Sequence, residues 1–448
     1  MLLRFISKNL YSFNDETEFN LFPSSRTTHH LHHKMDCGHT TALRMSAIYG
    51  ANGAGKSNLI KALSLLDLIV SGGTTEMLTN RHNDLSFKFS MPNTNPVSIA
   101  VEFFKDTKVY YYSISFVGSL IVGEELYISH EDYDELVFSR TLKDAKQQVD
   151  FKDGYTSNVA NATFIEVLQD KILRSDMVLL SFLANKYPEE LSDVTAAYQW
   201  FIQNLMTISP NEKLGIAAHL FDVNKEMMAF LNGLLPQMKT GVSKMAVLKT
   251  EVDEKSQTLS EEWKELIPEL KENPGVARPL YHPLDNRVTA SAVYENGKII
   301  MKTLQPIHVL EDGREVKMPI HSESDGTLRL IDYIPFVFSV IYENKIYVVD
   351  EIERSLHPIL IKEIIAKLSA IPEAKGQLIF TTHESCLLDQ KILRSDEIWF
   401  AEKDGGQATH LYPLSDFKIH NTANIENGYL NGRYGGIPFL ANLRDLNW

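Results

Sequence analysis

Cysteine is scarce in this sequence, and both long apolar runs and an excess of basic residues are missing from it. The two cysteines, Cys37 and Cys386, cannot build a disulfide framework, which excludes the class of small disulfide-stapled secreted domains and favours a reducing compartment. No run of about 18 apolar residues occurs, and the opening residues lack the long apolar segment of a signal peptide. We therefore expect a cytoplasmic protein without a membrane span.

The charge balance limits which partners the chain can attract. Its 44 Lys+Arg residues stand against 58 Asp+Glu residues, which leaves a formal net charge of −14. A chain with this charge repels a phosphate backbone as a whole, so any contact with DNA must be local. Hydrophobic residues make up 44% of the 448 positions, enough for a sizeable core. The length predicts about three domain-sized units.

Residues 50–57 carry the clearest motif of the chain, Gly-Ala-Asn-Gly-Ala-Gly-Lys-Ser, which satisfies the P-loop pattern G-x-x-x-x-G-K-[ST]. An apolar, strand-like run precedes it, and apolar residues at helical spacing follow it. Because a P-loop needs this strand-to-helix setting, a chance glycine-rich turn is the weaker interpretation. We expect the backbone N–H groups to hold phosphates, Lys56 to reach the β- and γ-phosphates and Ser57 to bind Mg²⁺. The candidate ATP-binding residues are Gly50, Asn52, Gly53, Gly55, Lys56, Ser57 and Asn58.

Two carboxylates end an apolar, β-branched run at 345–349. Because a buried parallel strand delivers such residues to its carboxyl end, we expect Asp350 to hold Mg²⁺ through water and Glu351 to polarise the attacking water. The pattern is weak alone, but a P-loop in the same chain strengthens it. A second apolar run ends in His383. A lone histidine is more often structural, yet here it can contact the γ-phosphate or the lytic water. The candidate catalytic residues are Glu351, His383 and Lys56.

A third short motif, Ser-Asp-Gly-Thr, occupies residues 324–327 at the expected start of a helix. Ser324 is the expected N-cap, so its hydroxyl and the free backbone N–H groups of the first turn form an anion site. A simple capped helix explains the same residues equally well. The motif therefore gains a functional meaning only from its place among the others.

The remaining pattern divides the chain into three parts. Residues 1–135 begin with a hairpin and continue with a meander of apolar strands between 98 and 128, whose aromatic residues indicate a core rather than a base-stacking platform. Residues 136–280 are predicted to form a mostly helical insertion, too often interrupted by proline for a long coiled-coil arm, with 238–252 ambiguous between helix and strand. Residues 281–448 carry the acidic and histidine motifs. The clearest predicted helices of the insertion are 164–173, 178–185, 193–206, 225–235 and 261–270.

Five histidines and Cys37 lie within residues 29–39. Imidazole and thiolate are ligands for transition metals, so this segment is a candidate metal site. Its spacing matches no zinc pattern, however, and a polar loop between two strands explains it as well. Both interpretations stay open at the level of sequence.

The order of these motifs resembles the ABC-type ATPases of the SMC, Rad50 and RecF group. In that group the same order gives Walker A, signature, Walker B, D-loop and switch histidine, here residues 50–57, 324–327, 348–351, 355–358 and His383. The resemblance covers about 1–135 and 315–448. It implies an α/β fold, a P-loop ABC-type ATPase head with a mixed β-sheet, flanking helices and an antiparallel β subdomain, interrupted by the insertion. It also implies that the signature residues contact a nucleotide on a neighbouring copy; they are Ser324, Asp325, Gly326 and Thr327.

Residues 323–327, 350–358 and 429–438 are similar to the short-armed AAA/ABC-hybrid ATPases of bacterial anti-phage systems, in particular the ATPase subunits of PARIS (phage anti-restriction-induced) systems. That resemblance implies ATP and Mg²⁺ as cofactors and a homo-oligomer, at least a dimer and up to a hexameric ring. It further implies a separate Toprim-type nuclease, held until a phage-encoded protein triggers its release. The sequence departs from the wider group in two ways: its signature is Ser-Asp-Gly-Thr rather than Ser-Gly-Gly-Gln, and no glutamine can be assigned to a Q-loop.

Three functions are compatible with these features. The first is an ATP-dependent sensor and scaffold of anti-phage defence that controls a toxic nuclease. The second is a DNA-repair ATPase of RecF or Rad50 type, which the acidic charge and the short insertion weigh against. The third is a self-contained nuclease with an ATPase head, which is the weakest because only 65 residues follow His383 and they show no acidic cluster.

Overall fold

A computed structural model describes residues 1–80, 85–89, 95–144, 146–210, 215–238, 240–254, 256, 260–281, 288–418 and 423–436. Its strands are β1 (Leu2–Lys8), β2 (Thr17–Asn20), β3 (Lys34–Cys37), β4 (Thr40–Leu43), β5 (Met45–Gly50), β6 (Val97–Lys105), β7 (Lys108–Val117), β8 (Leu120–Ser129), β9 (Asp134–Lys143), β10 (Lys146–Phe151), β11 (Leu205–Ile208), β12 (Lys244–Glu251), β13 (Arg278–Tyr281), β14 (Val288–Glu295), β15 (Lys298–Val309), β16 (Glu315–Lys317), β17 (Ile346–Val349), β18 (Gln377–Thr381), β19 (Ile398–Lys403) and β20 (Thr409–Pro413).

The α-helices in the same residues are α1 (Lys56–Gly72), α2 (Met77–Asn80), α3 (Val159–Val167), α4 (Leu179–Lys186), α5 (Ser192–Gln199), α6 (Ala217–Val223), α7 (Lys225–Leu234), α8 (Glu261–Glu272), α9 (Asp325–Tyr342), α10 (Pro358–Ser369) and α11 (Ile425–Leu430). Short 3₁₀ or π turns lie at Leu31–His33, Tyr155–Ser157, Leu168–Ile172, Trp200–Asn204, Leu235–Met238, Ile320–Ser322, Ser385–Leu387 and Leu414–Asp416. Among the described residues, each helix is too short or too polar to span a bilayer.

The chain folds into two compact units. Unit 1 is built from Met1–Pro210, Glu343–Ile352 and Ile365–Trp448, and unit 2 is built from Asn211–Tyr342 and Glu353–Ile364. The chain therefore leaves unit 1 twice and returns to it twice. The P-loop and the two carboxylates belong to unit 1, whereas the Ser-Asp-Gly-Thr motif belongs to unit 2.

The six-stranded sheet of unit 1 determines where the candidate site residues lie. Its order is β11-β17-β18-β5-β19-β20, and all neighbours are parallel except β19 and β20. β5 and β18 are buried along their whole length, as expected for strands covered on both faces. Because the carboxyl ends of parallel strands meet at one edge, the segments that follow β5, β17 and β18 share that edge.

The other large sheet of unit 1 has seven antiparallel strands in the order β10-β9-β8-β7-β6-β1-β2. Three of its aromatic residues are core residues, as predicted: Phe103, Tyr110 and Tyr112 are at most 1% exposed. The prediction also included Phe104 and Tyr111, which are half-buried. The ring of Trp200 stacks on Phe103 with centroids 4.2 Å apart. The same hydrophobic cluster contains the apolar face of α1, so the helix that follows the P-loop is fixed by the main core of the unit.

Unit 2 has an antiparallel sheet of its own, in the order β12-β15-β14-β13, with β16 paired to β15. The apolar faces of α6, α7 and α9 join β12 and β15 in one hydrophobic cluster, while α8 packs against β13 and β14 in a second. α9 is thus anchored along its length by buried residues, while Asp325 at its start and Tyr342 at its end are exposed.

Most local predictions are confirmed, and the bounds of two predicted helices are wrong. The helix predicted over 164–173 begins earlier, at Val159 in α3, and continues as a π turn over Leu168–Ile172. The initial hairpin, the meander and the helices α4, α7 and α8 lie where the pattern places them, and the ambiguous segment 238–252 contains β12. The helix predicted over 193–206 instead ends at Gln199, and β11 follows after a π turn. β11 pairs in register with β17, from Leu205 opposite Ile346 onward, and this tertiary pairing overrides the local helical pattern.

The structure also divides the chain at other positions than the predicted boundaries at 135/136 and 280/281. β9 and β10 extend the seven-stranded sheet, and α4 and α5 share the core of α1, so the first part of the predicted insertion belongs to unit 1. The rest of it belongs to unit 2, together with a sheet whose later strands follow residue 280. The predicted insertion 136–280 is therefore divided between unit 1 and unit 2 and does not form one helical subdomain.

Candidate functional site

The P-loop connects the end of β5 to the start of α1, as its strand-to-helix setting predicts. Gly53 and Gly55 have φ angles of +79° and +106°, in the left-handed region that favours glycine. A β-carbon on Gly55 would lie 2.1 Å from Oγ1 of Thr409, and one on Gly50 would lie 2.5 Å from the carbonyl O of Ala401. Among the described atoms, none lies within 4 Å of such a carbon on Gly53. The P-loop is thus tightly packed at Gly50 and Gly55, against Ala401 and Thr409, and has open space at Gly53.

Lys56 is the first residue of α1 and is only 5% exposed. Its Nζ donates to the carbonyl O of Gly50 at 2.7 Å and of Ala51 at 3.2 Å. The ammonium therefore lies against the P-loop backbone at the positive end of α1, where helix N–H groups also favour an anion. Ser57 follows on α1 and is half-buried, and Asn52 is exposed in the loop.

Ser12 and Thr409 support the P-loop with a pair of hydroxyl groups. Thr409 Oγ1 lies 2.7 Å from Ser12 Oγ and 2.9 Å from the carbonyl O of Ala54. The side-chain amide of Asn58 donates to Ser12 Oγ at 2.8 Å. The side chain of Asn58 thus fixes the loop to Ser12, and its predicted role in ATP binding stays a prediction.

β17 delivers Asp350 and Glu351 to the edge of the sheet that also carries the P-loop. Asp350 is 5% exposed, and its N–H donates to the carbonyl O of Ile208 at 2.9 Å. The hydroxyl of Thr381, the last residue of β18, donates to Asp350 Oδ1 at 2.5 Å and accepts from the N–H of Glu351 at 2.8 Å. Thr381 is fully buried. One hydroxyl group therefore fixes both the Asp350 carboxylate and the turn that begins at Glu351.

Glu351 has a φ of +51°, a left-handed conformation that is uncommon for residues other than glycine. The N–H of Ile352 donates to the carbonyl O of Thr381 at 3.1 Å, so the turn is held on both sides of Glu351. His383 follows two residues after Thr381 and is exposed, and the N–H of Thr382 donates to the carbonyl O of Ile48 in β5. The structure thus brings the predicted catalytic residues to one edge of one sheet. A backbone outlier of this kind is typical of functional sites.

The side chains at this edge have the chemistry needed to bind Mg²⁺ and a nucleoside triphosphate. Ser57 offers a hydroxyl oxygen and Asp350 a carboxylate oxygen, which are the hard donors that Mg²⁺ prefers. Thr381 bonds to Oδ1 of Asp350, and this carboxylate together with Ser57 would hold Mg²⁺. The open P-loop at Gly53 and the ammonium of Lys56 supply the positive surface that phosphates need.

The Ser-Asp-Gly-Thr motif lies in unit 2, where it begins α9. Ser324 Oγ accepts from the N–H of Thr327 at 3.2 Å and lies 2.9 Å from the Thr327 hydroxyl, so the predicted N-cap is confirmed. Ser324 and Asp325 are exposed, whereas Thr327 is buried. A β-carbon on Gly326 would lie 3.3 Å from the carbonyl O of Ser355, in the segment that resembles a D-loop. The start of α9 and that segment therefore pack closely within unit 2.

The histidine-rich segment has a structural explanation. Nitrogens of His30, His32 and His33 lie within 4.8 Å of one another. Nε2 of His32 and Nε2 of His33 both bond to the carbonyl O of Ser369, at 2.9 and 3.0 Å, and Nδ1 of His33 lies 2.9 Å from Glu397. Burial lowers the pKa of His33 to about 4 and raises the pKa of Glu397 well above its ordinary value. The hydrogen bonds favour the loop interpretation over the metal site.

A family profile described as "AAA domain, putative AbiEii toxin, Type IV TA system" matches residues 45–181 and 239–389, more than half of the chain. The matched segments contain the P-loop, the signature-like motif, both carboxylates and His383. The chain belongs to this AAA family. With its mixed sheet behind the P-loop and its antiparallel seven-stranded sheet, this AAA protein has the predicted α/β fold of a P-loop ATPase head.

Three solved structures of SMC head domains are similar to this AAA protein. One is an SMC head bound to the C-winged helix domain of ScpA, with 12% identity, coverage of 92% of this chain and 97% of that chain, and a TM-score of 0.43. The SMC head domain from Thermotoga maritima has 10% identity, coverage of 93% and 99%, and a TM-score of 0.39. An Smc head with an extended coiled coil, bound to a ScpA domain derived from Pyrococcus furiosus, has 12% identity, coverage of 92% and 96%, and a TM-score of 0.38. A search of the curated proteins gives no match.

Sequence reasoning missed the residues that hold this AAA site in place. Thr381 had a signal, because it ends the apolar run that leads to His383. Ser12 and Thr409 had none, since they lie 397 positions apart and meet only in the fold. Two residues of the quoted motif 429–438, Ile437 and Pro438, lie outside the described residues.

Thr381→Val tests whether the shared hydroxyl organises the site. Valine keeps the shape but leaves the Asp350 carboxylate and the Glu351 N–H without this partner. Because a hydrogen bond to a charged group contributes about 1.5–3 kcal/mol, ATP turnover should fall roughly 10- to 100-fold. Steady-state phosphate release measures this, and Thr381→Ser, which restores the hydroxyl, should recover most of the activity. Equal activity of the valine and serine variants would contradict the assignment.

Proposed function

We propose that this AAA protein binds ATP with Mg²⁺ and hydrolyses it. The observation that carries the proposal is the meeting of the P-loop, Asp350 and Glu351 at the carboxyl edge of the six-stranded sheet of unit 1. A phosphate-binding loop alone would support nucleotide binding, but a carboxylate turn held beside it by Thr381 adds the groups that hydrolysis needs.

Each residue of the site has a role that follows from its surroundings. Lys56 and the P-loop N–H groups hold the β- and γ-phosphates by charge-assisted hydrogen bonds. Ser57 and Asp350 hold Mg²⁺, which supplies positive charge to the phosphate oxygens. Glu351, held in its turn by Thr381, accepts a proton from the attacking water, and the exposed His383 contacts the γ-phosphate side of the site. Because positioning and charge account for most phosphoryl-transfer catalysis, rigid placement of these groups is the main requirement.

The active unit that we propose contains at least two copies of the chain. The P-loop holds the triphosphate from one side, and Ser324 and Asp325 present an exposed, capped helix start in unit 2. In the ABC arrangement that the sequence resembles, this segment covers the nucleotide of a neighbouring copy. The N-terminus of α9 in one copy would then complete the anion site of the neighbouring copy. The same contact, repeated between successive copies, could build an assembly as large as a hexameric ring.

In the cell we propose a role as sensor and scaffold in anti-phage defence, controlling a separate Toprim-type nuclease until a phage-encoded protein triggers release. The resemblance of residues 323–327 and 350–358 to defence ATPases supports this role, and so does a family description that refers to toxin–antitoxin systems. The net charge of −14 makes a nucleic-acid-binding role in DNA repair the weaker alternative.

Glu351→Gln should separate binding from turnover. The amide keeps the size and hydrogen-bonding capacity of the carboxylate but cannot take up the proton of water. We therefore expect ATP to bind normally while hydrolysis falls by roughly 10²- to 10⁴-fold, measured by nucleotide titration and phosphate release. Turnover at the wild-type rate would show that another residue orients the water.

The composite site can be tested by mixing two inactive variants, Lys56→Ala and Ser324→Arg. A mixed pair regains one intact interface, formed by the P-loop of the Ser324→Arg chain and the Ser324 side of the Lys56→Ala chain, so ATPase activity should partly return. The double variant Lys56→Ala/Ser324→Arg, mixed with either single variant, is the matched control and should restore none. A failure to recover activity, despite demonstrated exchange of subunits, would argue that each chain completes its own site.

The cellular role predicts a protein partner. Tagged chain captured from its native host should bring down a Toprim-type nuclease, in the same amount whether or not the lysate is treated with a nuclease, because protein contacts hold the partner. Mass spectrometry identifies the captured proteins. The same capture with tagged Lys56→Ala shows whether ATP binding is needed for the partner to associate. Recovery of DNA-repair proteins that nuclease treatment removes would favour the alternative.

A further inference from the structure

Residues 423–436, here called the C-terminal segment, are part of unit 1 and are not used by the proposed function so far. The segment contains α11 and ends in a turn with two left-handed glycines, Gly435 and Gly436, at φ +71° and +68°. Its side chains Ile425, Tyr429 and Tyr434 are 2%, 8% and 1% exposed. The segment is therefore packed into the unit rather than laid loosely on its surface.

The end of this segment contacts the first glycine of the P-loop. A β-carbon on Gly436 would lie 3.6 Å from Cα of Gly50 and 3.3 Å from the ring of Phe400. The ring of Tyr429 meets Tyr49 edge-on with centroids 5.7 Å apart and stacks on Phe400 at 5.6 Å. Gly50 thus lies close both to the Ala401 carbonyl O of β19 and to Gly436.

One tyrosine hydroxyl fastens the turn at this contact, and a second lies beside it. Tyr429 donates to the carbonyl O of Gly436 at 3.2 Å. The hydroxyl of Tyr412 in β20 donates to Glu402 Oε2 at 2.9 Å and lies 3.1 Å from the carbonyl O of Tyr434. Burial raises the pKa of Tyr429, so its hydroxyl keeps the proton that it donates. The Tyr429 hydroxyl therefore fixes where Gly436 lies.

The start of the segment is attached to the chain that follows His383. Ser385 Oγ donates to Glu426 Oε1 at 2.8 Å, and the side-chain amide of Gln390 donates to the carbonyl O of Ala423 at 3.2 Å. The segment is therefore anchored at both ends, which is the condition for it to hold another element in place.

We propose that Tyr429 and Gly436 are positioning residues that fix the entrance of the P-loop at Gly50 and thereby set the affinity for ATP. This inference rests on the proposed nucleotide site and adds to it an element more than 370 positions away in sequence. The β-carbon of an alanine at position 436 would lie 3.3 Å from the ring of Phe400, so the ring or the turn must shift by a few tenths of an ångström. The turn also contacts Gly50, whose carbonyl O is an acceptor for Lys56. The P-loop then loses the fixed arrangement of donors that a triphosphate needs.

Gly436→Ala and Gly432→Ala form a matched pair. Both glycines are left-handed, at φ +68° and +77°, so alanine imposes a similar conformational cost at each. Only at position 436 does the new carbon meet Phe400 and Gly50; among the described atoms, none lies within 4 Å of it at position 432. We expect the Kd and KM for ATP to rise roughly 10-fold in Gly436→Ala and less than about 2-fold in Gly432→Ala, with kcat within about 2-fold of wild type in both.

Tyr429→Phe provides a milder second variant in case Gly436→Ala does not fold. It removes only the hydroxyl that fastens Gly436, so the Kd for ATP should rise roughly 3- to 10-fold while the thermal midpoint stays close to wild type. Equal Kd values for wild type, Tyr429→Phe and both glycine variants would overturn the inference. Lys56→Ala in the same titration separates a failure of this inference from a failure of the proposed function. Loss of ATP binding in Lys56→Ala supports the nucleotide site whatever the other variants show. Normal ATP binding by Lys56→Ala would contradict the proposed function itself.

Discussion

Burial of a charged side chain removes its hydration, and unit 1 of this protein buries two opposite charges at one sheet edge. Lys56 and Asp350 are each 5% exposed. The ammonium is compensated by two P-loop carbonyls and the carboxylate by the Thr381 hydroxyl. Charges held in a surrounding of low dielectric attract a phosphate or a cation more strongly than the same charges in water. The rest of the unit serves to keep these groups in place while they remain accessible from one side.

The order of strands makes this arrangement possible. β18 lies between β5 and β17, so its last residue, Thr381, can bond to the chain that leaves β17 while Thr382 bonds back to Ile48 in β5. The P-loop and the carboxylate turn are therefore linked by three consecutive strands of a buried sheet. The apolar face of α1, which follows the P-loop, packs in the main hydrophobic core, and the C-terminal segment contacts Gly50.

The parts of the site that the sequence predicts are those whose residues are contiguous. The P-loop and the Asp350–Glu351 pair each contain their physical reason within a few positions, namely glycines at a strand-to-helix turn and acids at the end of an apolar strand. Thr381 ends an apolar run that the sequence shows, but its partners lie 30 and 31 positions away, so the local pattern does not reveal its role. Ser12 and Thr409 lie 397 positions apart, and no local pattern marks them. β11 was mistaken for the end of a helix for the same reason, because its pairing with β17 is a long-range contact. The histidine-rich segment was ambiguous for the same reason: the partners that explain its histidines, Ser369 and Glu397, lie far away in the sequence.

The central claim is that the P-loop of this chain, with Lys56 buried against it, is an ATP site that uses Mg²⁺. Isothermal titration of ATP into the purified wild-type protein, with Mg²⁺ and then with EDTA, tests it most directly. The account predicts saturable binding of about one nucleotide per chain that weakens when Mg²⁺ is removed, and a loss of binding in folded Lys56→Ala. The absence of saturable binding by the wild type at millimolar ATP, or equal binding by Lys56→Ala, would contradict it.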